Sequence, residues 1–324
     1  MQDRNAALPR ILRLGPVVAV DARAEAVERL LETPARIEPK YFYDELGCAL
    51  YAAICRLPEY YPTRTEGAIF AAHRTAITAS AGQRRQLVDL GAGDCRKAEA
   101  WLPFLEPSRY VAVDFAGEEL AAALARLSRD FPRVEMLGVE TDFALRLDLE
   151  PALDAGPATF FYPGSSIGNF MPEDAVEFLA SIQRHCATRP GSGLLIGVDA
   201  KKDKRLLDAA YDDALGVTAA FNRNALLNLN RRFGFDFALD GFVHRGFYNA
   251  EAGRIEMHLE ALRDQVVALG GGKARRFRAG ERIHTENSYK YSREEFERLL
   301  LRAGFARVQC WSDGAASFFV FYAD

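Results

Sequence analysis

Apolar and polar positions follow a helical period at first, then switch to short apolar runs separated by helical stripes. From Arg23 to Ser80 the period is helical, and the break Leu57-Pro58-Glu59-Tyr60-Tyr61-Pro62 predicts a turn between helices. Buried runs then occur at Gln86–Leu90, Tyr110–Asp114, Thr159–Tyr162 and Gly193–Val198. Between them lie the helical stretches Arg96–Phe104, Glu118–Phe131 and Pro172–Thr188. Strands alternating with helices at this spacing predict right-handed crossovers and a parallel α/β sheet.

After Asp199 the texture changes. Asp203–Arg232 reads as helix with a break near Gly216, and three strand-like segments follow at Phe237–Tyr248, Arg254–Arg263 and Glu281–Lys290. Gly270-Gly271-Gly272 predicts a surface loop. The alternation resumes with a helix at Ser292–Ala303 and strands at Ala306–Trp311 and Phe318–Tyr322. The section from about 199 to 285 therefore reads as an insertion between sheet strands. Together with residues 1–63 it is expected to form a second, α+β domain, leaving 64–198 and 286–324 to the sheet domain.

Composition narrows the partners. With 45 acidic against 41 basic residues the formal charge is -4, which gives no reason to expect nucleic acid or an anionic membrane. Met1 to Arg4 lead into polar sequence without the apolar core of a secretory signal. The apolar stretch Ala158–Met171 is interrupted by Pro163 and by Gly and Ser, so no spanning helix is expected. Five scattered cysteines without a CxxC pair predict free thiols in a reducing cytoplasm. The five histidines show no metal-ligand spacing, so no metal site is expected.

Three segments carry chemistry. In Leu87-Val88-Asp89-Leu90-Gly91-Ala92-Gly93-Asp94, a strand runs into Gly-x-Gly at a helix start, where backbone approaches a ligand closely. A dinucleotide fingerprint would place a third glycine at 96, where this chain has Arg96. Asp114 ends the next strand, where a fixed carboxylate accepts from two ribose hydroxyls, and Asp142-Phe143 sets an acid beside an aromatic ring for an adenine. The loop Tyr162-Pro163-Gly164-Ser165-Ser166-Ile167-Gly168-Asn169-Phe170 follows a strand at the ligand edge of the sheet, with Asn169 offering both a donor and an acceptor. Taken alone, each of these is also a turn, a cap or a loop-stabilising side chain.

The first segment resembles the S-adenosylmethionine loop of class I (Rossmann-like) methyltransferases. From about Pro39 to the C-terminus the chain further resembles the L-histidine Nα-methyltransferases of ergothioneine biosynthesis. That likeness rests on Pro39-Lys40-Tyr41-Phe42-Tyr43-Asp44, Leu57 to Arg64, Gly164 to Phe170, Tyr211-Asp212-Asp213, Phe221-Asn222-Arg223-Asn224 and Thr285-Glu286-Asn287-Ser288. It implies a monomeric cytoplasmic enzyme that trimethylates the α-amino group of histidine with S-adenosyl-L-methionine.

The resemblance also implies the site. Tyr43, Gly91, Lys97, Asp114, Asp142 and Phe143 would hold the cofactor. Asn169 and Tyr211 would hold the substrate carboxylate, with Tyr60 beside the α-amino group; Tyr60 and Asn169 would orient the reacting amine. Glu286 and Ser288 would grip the imidazole and Met257 would pack in the same pocket. Without the family, Glu286 and Ser288 at i, i+2 are equally a solvated strand face. Two departures stand out: Phe115-Ala116 after Asp114, where relatives carry a smaller residue and a serine, and Tyr51 in place of phenylalanine. The alternatives are the same transfer onto another amino acid or an aromatic amine, a non-catalytic S-adenosylmethionine-binding regulator, and an NAD-dependent reductase.

Overall fold

The computed structural model describes residues 9–15, 21–144 and 146–324, so Met1 to Arg4 lie outside the described residues. Along the chain come β1 (Arg10–Arg13), the two-residue β2 (Ala35–Arg36), β3 (Gln86–Leu90), β4 (Arg109–Asp114), β5 (Glu135–Glu140), β6 (Ala158–Tyr162) and β7 (Gly193–Asp199). They are followed by β8 (Phe242–Asn249), β9 (Arg254–Ala261), β10 (Gln265–Gly270), β11 (Lys273–Phe277), β12 (Arg282–Tyr289), β13 (Val308–Ser312) and β14 (Phe318–Ala323).

Eight strands form one sheet in the order β1-β5-β4-β3-β6-β7-β14-β13. β14 runs antiparallel to β7, and β13 antiparallel to β14; the other pairs are parallel. Side-chain alternation splits each central strand between two cores. Val88, Val111, Phe160 and Ile196 face a layer that includes helices Pro172–Ala187 and Arg293–Arg302. Leu87, Tyr110, Phe161 and Leu195 face helices Pro62–Ala72, Arg74–Ala81 and Gly117–Asp130. Burial on both faces is why these strands read as unbroken apolar runs. The strand order reverses between β3 and β6, which opens a crevice at their carboxyl ends, where ligands sit in sheets of this kind.

A second, four-stranded sheet has the order β2-β12-β9-β8. Its core is separate: Leu30, Tyr41, Phe42, Phe221, Leu226, Phe242, Leu259 and Ile283 cluster with helices Ala22–Leu31 and Val217–Phe233. The segment at Pro39–Asp44 has a structural task here. Asp44 caps helix Glu45–Ile54 through the Gly47 amide at 2.8 Å, and Asn224 donates to the same carboxylate oxygen at 2.6 Å. A Cβ at Gly47 would lie 1.6 Å from the Phe42 carbonyl oxygen, so this corner admits only glycine.

The structure corrects parts of the expected map. Pro103 lies in a region where the expected helix Arg96–Phe104 divides into Arg96–Glu99 and Leu102–Leu105. β1, β2, β5 and the hairpin β10–β11 were not anticipated, although the hairpin turns at Gly270–Gly272. Among the described residues β12 pairs with β2 and β9, so this strand belongs to the small sheet and runs past the boundary expected at residue 285. Among the described residues, no helix is long and apolar enough to cross a membrane.

Candidate functional site

At the carboxyl end of β3 the backbone turns through Gly91 (φ 69°), Gly93 (φ 51°) and Cys95 (φ 62°). The amides of Gly91 and Ala92 donate to the Val113 carbonyl at 2.9 and 3.1 Å, which folds the loop against the end of β4. Asp114 then accepts from the Gly93 amide on one oxygen (2.9 Å) and the Ala116 amide on the other (3.0 Å). Burial pushes this carboxyl up and the backbone amides draw it back. The carboxylate is thus held in one orientation with lone pairs to spare, as a ribose diol requires.

A Cβ at Gly91 would come within 3.5 Å of the Phe143 ring, so the bare glycine leaves a gap under that ring. Phe143 packs edge-on against Tyr162 at 6.1 Å. Asp142 precedes it on the half-buried loop after β5. Asp89, inside β3, points elsewhere: it accepts from Tyr110 Oη at 2.7 Å within the protein interior. Gly91, Asp114 and Phe143 therefore make a cradle that suits a nucleoside with a small polar head. Lys97 acts on a neighbouring loop. Its Nζ pairs with buried Glu66 at 2.9 Å, and the other oxygen of Glu66 accepts from the Gly164 amide at 2.7 Å.

Beside this cradle a cavity is lined by Tyr60, Asn169, Tyr211, Met257, Glu286 and Ser288, all six expected substrate residues, together with Tyr43. Gly91, Lys97, Asp114, Asp142 and Phe143 do not line it. Tyr43 joins the two regions: it lines the cavity and its ring lies 6.2 Å from that of Phe115, the residue after Asp114. The two departures from the family pattern, Phe115 and Tyr51, both touch Tyr43, the latter at 5.8 Å between rings.

Glu286 and Ser288 owe their direction to a β-bulge. Opposite β9, His284 pairs with His258 and Glu286 with the adjacent Met257, so Thr285 is an extra residue. The Thr285 hydroxyl donates to the Met257 carbonyl at 3.0 Å and secures the bulge. Ile283 before it and Glu286 and Ser288 after it are all buried on the inner face. On the outer face His284 Nε2 and Asn287 Oδ1 lie 2.9 Å apart, a contact that regular alternation forbids at i, i+3.

The Glu286 carboxylate is nine-tenths buried and takes no hydrogen bond from the described residues. Burial pushes its pKa up to about 7, against the lowering influence of Lys290. Tyr60 is buried to a similar extent and its phenol is pushed well above the ordinary range by burial, with Tyr51 as its hydrogen-bonding neighbour. Tyr60 is therefore a neutral hydroxyl and not a base. Its ring lies 6.0 Å from that of Tyr211.

Several residues of the site were not assigned to it from the sequence, although Tyr51 and Phe221 figure in the family resemblance. Tyr51, Thr218 and Phe221 also line the cavity. Beneath it Lys290 and Asp199 pair at 2.8 Å with both side chains fully buried. Tyr61 donates to Asp199 at 2.8 Å, and Lys202 pairs with the same carboxylate. The available signal for Lys290 was its spacing: it continues the alternation Glu286, Ser288 by one more step.

A family model for histidine-specific, S-adenosylmethionine-dependent methyltransferases matches residues 22–324. The histidine N-alpha-methyltransferase of Mycolicibacterium smegmatis is 38% identical over 317 residues, 95% of this chain and 97% of that protein. Its counterpart in Mycobacterium tuberculosis is 38% identical over 91% of this chain and 92% of its own length. Ergothioneine biosynthesis protein 1 of Neurospora crassa is 30% identical across 97% of this chain, which spans 36% of that longer protein.

Proposed function

The chain belongs to the S-adenosylmethionine-dependent, histidine-specific methyltransferases, and on that footing we propose that it trimethylates the α-amino nitrogen of L-histidine. The product would be hercynine, and the reaction the first step of ergothioneine biosynthesis. The observation that carries the substrate is Glu286: a buried carboxylate that takes no hydrogen bond from the described residues and lines a cavity together with the Ser288 hydroxyl. Imidazole presents two ring nitrogens, and a carboxylate and a hydroxyl together read both. An apolar ring of the same size would leave both groups unsatisfied, at a cost of several kcal/mol. Another amino acid or an aromatic amine is disfavoured on this ground.

Bound S-adenosylmethionine supplies a methyl group on a sulfonium, which makes the transfer an in-line displacement. The amine would have to arrive at that methyl group with its lone pair free. Gly91, Asp114 and Phe143 would hold the cofactor, with Asp142 and Tyr43 at either side and Lys97 steadying the Gly164 loop through Glu66. Asn169 and Tyr211 would hold the carboxylate, and Met257 would pack against the ring. Tyr60 and Asn169 would orient the amine; since Tyr60 is a neutral phenol, the amine proton leaves to solvent. Orientation and the exclusion of water are then the protein's main contributions to rate. Each added methyl removes an N–H donor, so anchoring by carboxylate and imidazole is what allows three transfers at one nitrogen.

In this reading residues 21–63 and the insertion after 199, extended to include β12, form the substrate-binding domain, while β1, expected in that domain, pairs with β5 and belongs to the large sheet. The five free cysteines support a location in the reducing cytoplasm, where we propose that the enzyme acts as a monomer. The test is mass spectrometry of the protein incubated with S-adenosylmethionine and the twenty amino acids. A gain of three methyl groups on histidine alone is the expected result; methylation of a different amino acid would overturn the Glu286 argument.

A further inference from the structure

Lys290 lies just past β12, with its side chain entirely inside the protein. Its ammonium has three protons, and three oxygens surround it: Asp199 Oδ2 at 2.8 Å, Tyr211 Oη at 2.9 Å and Ser288 Oγ at 2.9 Å. Asp199 comes from the end of β7 in the large sheet, Tyr211 from the end of helix Lys204–Tyr211, and Ser288 from the small sheet. Lys290 thus binds together three elements, and two of its partners are hydroxyls that line the cavity.

An ammonium only donates. Each of the two hydroxyls therefore spends a lone pair on Lys290, and each is polarised into a better donor and a poorer acceptor. Tyr211 Oη and Ser288 Oγ are also 3.1 Å apart, so in the empty cavity one can donate to the other. A ligand with two acceptor groups draws both protons outward. A carboxylate answers the first hydroxyl, and a ring nitrogen with a lone pair answers the second. Glu286, an acceptor when ionised, then takes the proton on the other ring nitrogen.

Resting on the substrate proposed above, we infer that Lys290 is a positioning residue that fixes Tyr211 and Ser288 as donors and so selects the neutral imidazole of histidine over its imidazolium. A doubly protonated ring would bring a second cation up to an ammonium already in place behind Ser288. The charged groups about Lys290 are Asp199, with Lys202 and Tyr61 on its other side, and Glu286 across the cavity. Burial alone would lower the lysine, but Asp199 and Tyr211 reverse this and hold it above its usual range, so it remains an ammonium.

The test is calorimetric titration of histidine into protein saturated with S-adenosylhomocysteine, from pH 6 to 9. It compares the wild type with Lys290→Met, Ser288→Ala and the double variant. Lys290→Met should weaken histidine at least about tenfold while leaving S-adenosylhomocysteine affinity in place, and the loss should shrink in the Ser288→Ala background. It should also move the acid limb of histidine binding to lower pH, because the imidazolium no longer meets a buried ammonium behind Ser288. Should Lys290→Met fail to fold, Asp199→Asn/Lys290→Met removes both members of the buried pair and should give the same losses. Unchanged histidine affinity, or losses that add with Ser288→Ala and an unmoved pH profile, would overturn the inference alone. A wild type that binds S-adenosylhomocysteine but not histidine would overturn the substrate reading and this inference with it.

Discussion

At the carboxyl ends of β3 and β4 the polar geometry is made chiefly by the backbone: two glycines at positive φ, and one carboxylate pinned by the Gly93 and Ala116 amides. Along β12 it is made by side chains, Glu286 and Ser288 above and Lys290 below, on a strand whose backbone serves only to aim them. The first arrangement tolerates change in neighbouring side chains, since amides are common to nearly every residue. The second changes character with each substitution. Substrate choice in this architecture should therefore be retuned on the small sheet while cofactor binding is left alone.

The comparison breaks if damage at one end spreads to the other. On the proposed reading Asp114→Ala would remove two charge-assisted hydrogen bonds to the ribose and should weaken S-adenosylhomocysteine by roughly 100- to 1,000-fold in calorimetry. Glu286→Ala should raise the KM for histidine by roughly 10- to 100-fold, with S-adenosylhomocysteine affinity held within about twofold. A parallel fall in cofactor affinity would show that the two ends are not independent. Tyr211→Phe would delete the donor proposed for the substrate carboxylate and should raise KM about tenfold with little change in kcat.

The last effect concerns stability, not binding. Folding raises the Glu286 pKa from 4.5 to about 7, so the folded protein favours the protonated acid. Below pH 4.5 the carboxyl is protonated in both states and its burial carries no charge penalty. As the pH rises from 4.5 through about 7 the ligand-free protein loses about 3 kcal/mol on this account. Glu286→Gln should therefore melt several degrees higher than wild type at pH 8.5, and the gap should close towards pH 4.5. An equal gap at both pH values would sink the electrostatic explanation.

What the sequence disclosed divides along the same line. The cofactor end was legible because a Gly-x-Gly turn and an acid closing the next strand are local features with a fixed spacing. β3, β4, β6 and β7 were legible because burial on both faces makes continuous apolar runs. β5 was not, because Gly138 interrupts it; yet a Cβ there would lie 2.3 Å from Ile11 and 2.9 Å from Leu124, so the interruption is imposed by packing. Glu286 and Ser288 were found through the family likeness and share a face on simple alternation. That this face is the inner one depends on the extra residue at Thr285, which is a property of pairing with β9 and invisible in β12 alone. Lys290 was missed for a related reason: its partners Asp199 and Tyr211 come from elements far away in the chain.

The bulge at Thr285 makes β12 behave like a message with a shifted frame. Ahead of it the odd-numbered residue Ile283 points inward; after it the even-numbered Glu286 and Ser288 do. Ironing out the bulge at constant length, so that Thr285 pairs with Met257, would restore uniform parity and turn the inner text from an acid and an alcohol to Thr285 and Asn287, whereas deleting Thr285 would leave Glu286 and Ser288 facing inward. Point changes edit the words of this strand, whereas loss of the bulge alone rewrites the sentence, so lineages that alter their substrate by small steps should keep the bulge and its extra residue together or lose both together.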